Sequence, residues 1–212
     1  MSEAEDIQIY IKGNKVNFTV VCEIILVASC WFTIYGIRGL PKNALWPASI
    51  GVFYLSIAAV LGALKFGGVD GVASIHKVFT SLGGVGVSCL GISFVQAGMN
   101  ERLRKYSKNA GIFVLIVGSV LAVFWTKGPW KLPIIIIGFV SLIFGSYTYY
   151  RESAKIFALG LIAAVLIVTS ALVIGTKGTL FGFLRLDLFH LTLACSILCQ
   201  GYSLKMISDK LK

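Results

Sequence analysis

Seven apolar runs, each long enough to cross a lipid bilayer, follow one another along this chain with short polar connectors between them. The hydrocarbon core of a bilayer takes about 20 mostly apolar residues of helix. The runs fall at about 16–36, 46–64, 77–97, 110–126, 131–150, 154–175 and 182–203. Within lipid each backbone N–H and C=O must find its partner inside the protein, and a helix does this within one segment. The expected fold is therefore all-α: a polytopic membrane protein built as a bundle of seven transmembrane helices.

Composition closes the alternative of a soluble domain. The 212 residues are 57% hydrophobic and 13% charged, with mean hydropathy +0.88, whereas soluble domains run at roughly 45–50% apolar and about 25% charged. Residues 1–15 read as a polar tail without the basic opening and small-residue cleavage site of a signal peptide. Residues 16–204 form the membrane domain, and 205–212 a basic C-terminal tail. Pro47 and Pro133 are expected in first turns, where a missing N–H costs nothing. The five cysteines, Cys22, Cys30, Cys89, Cys195 and Cys199, all lie in apolar runs. There they act as small hydrophobes and not as a disulfide framework.

The net charge of +10 would point to nucleic acid in a soluble protein. Here the cations punctuate the gaps between spans, so nucleic acid is not expected as a partner and membrane lipids are. Arg38, Lys42, Arg102, Arg104, Lys105, Lys108, Arg151, Lys155, Lys205, Lys210 and Lys212 fall on one side. Lys12, Lys15, Lys65, Lys77, Lys127, Lys131, Lys177 and Arg185 fall on the other. Eleven of the 19 cations against eight put the C-terminus in the cytoplasm and the N-terminus outside by the positive-inside bias. Trp31, Tyr35, Trp46, Tyr147, Tyr149, Tyr150 and Tyr202 cluster at the inner boundary, and Trp125 and Trp130 mark the outer one. Asn17-Phe18-Thr19 has the form of a glycosylation acceptor, set close to the membrane.

The first and last three spans share features that suggest a parallel three-plus-one-plus-three duplication. Phe32-Thr33-Ile34-Tyr35 stands opposite Tyr147-Thr148-Tyr149-Tyr150, and the intervals Tyr35 to His76 and Tyr149 to His190 are both 41 residues. Spans 1 and 5 would enter from the same face, which makes the repeat axis run along the membrane normal.

An ionisable group within a lipid-spanning helix is costly, so it turns inward and takes a partner. Five residues meet that description: Glu23 in span 1, His76 at the start of span 3, and Arg185, Asp187 and His190 in span 7. All belong to the outer third of the membrane, where they could share one ion- or substrate-binding cavity. Asp187 and His190 are three apart and so share a helix face. His76, Thr80, Gly84 and Ser88 form a second stripe. His76, Asp187 and His190 are also the candidate ligands of a metal such as zinc. Alternatively the two histidines could bind one haem, or serve a proton path.

Two local resemblances bear on function. Glu101-Arg102 resembles the activation motif of rhodopsin-like receptors, but the prolines of that pattern are missing, and Asn100 to Tyr106 reads as a basic loop drawn to anionic lipid. Leu186-Asp187-Leu188-Phe189-His190-Leu191, with Ala194 and Gly201, resembles the last helix of the superfamily of progestin and adiponectin receptors and alkaline ceramidases. That resemblance implies seven helices and zinc-dependent hydrolysis of lipid amides. Only His190 matches the family's pair of histidines, since Ala194 stands where the second belongs. Three functional classes follow. A channel or transporter for an ion or small solute leads on the strength of short loops. A metal-dependent lipid hydrolase or single-haem redox protein comes next, and then a structural subunit associating with other membrane proteins or with its own copies.

Overall fold

A computed structural model describes the backbone of residues 8–11, 14–98 and 101–211 and the side chains of residues 17–98 and 105–211. Among the described residues seven α-helices form: α1 (Phe18–Ile37), α2 (Lys42–Phe66), α3 (Ala73–Gly98), α4 (Glu101–Phe124), α5 (Lys131–Tyr147), α6 (Ala154–Val168) and α7 (Arg185–Lys210). A π-helical turn, Thr169–Ile174, continues α6. Two short antiparallel hairpins complete the described chain, β1 (Gln8–Ile11) with β2 (Asn14–Asn17) and β3 (Thr179–Leu180) with β4 (Phe183–Leu184). Among the described residues five segments are long and apolar enough to cross a membrane: α1, α2, α3, residues 105–124 of α4, and α6 with its π turn. This makes the chain an integral membrane protein by its helices. At 17 residues α5 is shorter, and α7 is long enough at 26 residues but carries Asp187, His190, Gln200 and Lys205 among its apolar positions.

Several boundaries differ from those the sequence suggests. Pro41, not Pro47, stands at the head of α2, so Pro47 lies inside the helix beyond its first turn. Helix α4 starts at Glu101, nine residues before the expected 110, which turns most of the supposed basic loop into helix. Its polar first turns carry no breaker, and hydropathy alone sees only the apolar remainder. Asn100 and the side chains of Arg102 and Arg104 lie outside the described residues, as do those of Lys12 and Lys15. The supposed C-terminal tail is likewise helical to Lys210, because Leu204 and Ile207 are fully buried against the bundle and hold the last turns in place. In the N-terminal fifteen residues the β1–β2 hairpin takes up part of the polar tail. Asn17 closes that hairpin and caps α1, its Oδ1 accepting from the Thr19 N–H at 2.9 Å.

Packing order follows from where the small residues lie. Helices α1, α2 and α3 pack in sequence, α3 packs on α5, then α5 on α6, α6 on α7, and α7 returns to α1. The result is a closed ring of six helices. Helix α4 stands outside it, packed mainly on α3. Helix α3 is thus sheathed by α2, α4 and α5, and from Leu82 to Ala97 its side chains are buried almost without interruption. Close approach depends on glycine: a Cβ on Gly138 would lie 2.5 Å from the Ser88 Cα, and Gly51 and Gly86 meet backbone to backbone between α2 and α3. Hydroxyls add bonds across the same seams, with Ser88 Oγ donating to the Ile134 carbonyl at 2.6 Å and Thr33 Oγ1 to the Ile197 carbonyl at 3.1 Å.

Candidate functional site

Helices α1, α3, α5 and α7 begin, and α2, α4 and the π turn end, at one face of the bundle. Near this face the ring encloses a cavity of about 340 Å³. Leu26, Leu55, Val87, Ile134, Ile167 and Leu193 form its apolar wall, while Glu23, His76, Thr80, Ser81, Lys131 and His190 supply its polar groups. It opens to the surface beside Thr80, Ala171 and Thr176, which are exposed.

Glu23 sits five residues into α1, about 8 Å along the helix axis, and only 1% of its side chain is accessible. Its Oε1 lies 3.5 Å from His190 Nε2, across the α1·α7 seam. The carboxylate occupies the space that Gly62 of α2 leaves empty: a Cβ there would overlap Oε1. Neither Glu23 Oε1 nor His190 Nδ1 has a hydrogen-bond partner among the described residues. The ring of His190 meets Phe189 edge-on at 5.5 Å between centroids. At this seam the acid and the base stand side by side, each within reach of the other.

His76 enters from the first turn of α3, half-buried, its ring edge-on to Phe66 at 6.1 Å. Thr80, one turn on, donates its hydroxyl to the His76 carbonyl at 2.8 Å. Asp187 is fully buried one turn above His190, where Thr19 Oγ1 donates to its Oδ1 at 2.7 Å. Arg185 Nη1 donates to the Ile174 carbonyl at 3.2 Å and so caps the π turn. Neither Asp187 nor Arg185 lines the cavity. Of the five candidate residues, then, Glu23, His76 and His190 come together around it, Asp187 braces the entry of α1 against α7, and Arg185 holds the end of α6.

Among the described residues no three His, Cys, Asp or Glu side chains are grouped to hold a metal ion. The set His76, Asp187 and His190 is therefore not grouped as a zinc site would be, and Asp187 Oδ1 takes the Thr19 hydroxyl beside α1. A haem fits no better, since the Nε2 through which His190 would bind iron faces the Glu23 carboxylate. The cysteines are free: Cys22, Cys30 and Cys89 are buried, Cys199 half-buried and Cys195 exposed on α7.

Lys131 and Gly62 are the site residues that hydropathy and charge pattern pass over. In the sequence Lys131 is one more connector cation, but it opens α5 and reaches the cavity. Gly62 lies well inside α2, where glycine costs roughly 1 kcal/mol relative to alanine. That cost is the available signal that something packs against it.

No family model, no curated protein and no solved structure matches this chain.

Proposed function

We propose that this protein is a seven-span membrane carrier or channel that admits an ion or small solute to the cavity ringed by Glu23, His76 and His190. One observation carries the reading: the cavity lies inside the helix ring, with the paired Glu23 and His190 in its wall at the α1·α7 seam. Ionisable residues placed inside a bundle, and not on its lipid-facing side, are how membrane proteins line solute paths. The ring order adds support. Helices α1–α2–α3 and α5–α6–α7 each pack in sequence and meet at two seams, α3·α5 and α1·α7, while α4 joins them from outside. A parallel three-plus-one-plus-three repeat has this arrangement, and carriers built from such repeats bind solute where the halves meet. In this reading α5 and α7 also cross the membrane, the cavity faces outward, and the C-terminus is cytoplasmic.

Reconstitution tests the reading. Full-length protein in vesicles, assayed against a panel of ions and small organic solutes, is expected to conduct or accumulate at least one of them. His76→Ala and His190→Ala should each lower that flux about tenfold, the equivalent of roughly 1.4 kcal/mol. Flux that is absent for every solute, or unchanged in both variants, removes the reading.

A further inference from the structure

The charge around the cavity is unbalanced, and this bears on which solute it takes. Glu23 is the carboxylate in its wall, and it stands against His190. Lys131 is in the lining and Lys77 is close enough to act on it electrostatically, while outside the lining Lys65 acts on both Glu23 and His76, and Asp187 acts on Glu23. Among the described residues no ion pair neutralises Lys65, Lys77 or Lys131. Lys65 instead lies over the Phe66 ring at 4.8 Å. His190, 91% buried by its 9% exposure, brings an Nδ1 without a partner to the same wall. The rest of the lining is mostly aliphatic, with the rings of Phe189 and Trp130 and the hydroxyls of Thr80, Ser81, Ser170 and Thr176.

We infer that the cavity binds a small organic monoanion with an apolar body, its carboxylate or equivalent head held at Lys131 and its body among Leu26, Leu55, Val87 and Leu193. An apolar wall with a few convergent polar groups fixes orientation by its charged end and gains affinity from the remainder. A metal cation is disfavoured by the lysines, and a fully hydrated inorganic anion by the apolar wall, which cannot replace its water. Glu23 lies at the α1·α7 seam, against His190 and backed by Gly62, while Lys131 enters the cavity from α5. The inference rests on the carrier reading only for what happens after binding.

Equilibrium binding of radiolabelled benzoate and hexanoate to the full-length protein in nanodiscs tests it, with benzylamine and benzyl alcohol as cationic and neutral competitors. Both acids should bind saturably and displace each other, and benzylamine should not displace them. Lys131→Gln should weaken binding about tenfold or more, the usual worth of a hydrogen bond to a charged group, and Lys131→Arg should retain it. Elution of both variants as the same single species as the wild type would exclude misfolding as the cause. Absence of saturable binding by either acid, displacement by benzylamine as effective as by hexanoate, or unchanged affinity in Lys131→Gln would each overturn the inference. Acid binding without uptake into vesicles would remove the carrier reading and leave the site. Uptake of cations alone would sustain the carrier and overturn the anion.

Discussion

Gly62 fixes the position of the one carboxylate in the cavity wall. Glu23 could not stand beside His190 if α2 carried any side chain at that level, because the first carbon would occupy the space of Oε1. Gly62→Ala should therefore cost less stability than a methyl group forced against backbone, because the atoms that it meets are the flexible end of Glu23. It should also displace Glu23 from His190. Thermal unfolding in detergent measures the first effect. A variant as stable as the wild type would mean that the carboxylate has another place to go. The sequence marks Glu23 and His190 as costly and in need of partners, but not as each other's, since 167 residues separate them. Asp187 shows the converse. Its spacing from His190 places both on one face, yet the Thr19 hydroxyl draws its carboxylate to α1, outside the cavity lining.

At the level of elements, the seams between the two helix trios rest on close backbone approach, with hydroxyl bonds as a smaller addition. In the α3·α5 seam, Gly138 meets the Ser88 backbone and Gly91 meets that of Gly138, while Ser88 Oγ bonds to the Ile134 carbonyl. A hydrogen bond between membrane helices contributes on average about 0.6 kcal/mol, whereas a methyl group forced against backbone has no flexible atom to move aside. Gly138→Ala is thus expected to lower the unfolding midpoint well beyond Ser88→Ala, although Ser88→Ala alone removes a bond. Equal losses would show that polar bonding, not approach distance, sets the seam. The glycine-rich character of α3 is plain in the sequence, but which glycine meets which helix is not. Periodicity specifies a face, and the facing partner follows only when seven helices compete for neighbours.

For the whole molecule, the ring order puts the start of α5 and the turn after it at opposite ends of the bundle. If α5 crosses the membrane despite its 17 residues, cysteines placed by Lys127→Cys and Arg151→Cys will react with an impermeant thiol reagent from opposite sides of sealed vesicles. Labelling of both from one side would leave α5 lying within the bundle without spanning and would remove the seven-span reading.

Hydrophobic run length by itself determined the helical class and the approximate places of the helices, because burial in lipid is a property of each segment and needs no knowledge of its neighbours. It also selected Glu23, His76 and His190, since the cost of an ionisable group in a span is equally local. Tertiary structure alone decided that these three share a cavity while Asp187 and Arg185 do not. It also brought Lys131 from a connector into the wall and left room at Gly62 for a carboxylate. Those outcomes depend on which helix faces lie within a few ångströms of one another, a relation between distant segments that no single segment encodes.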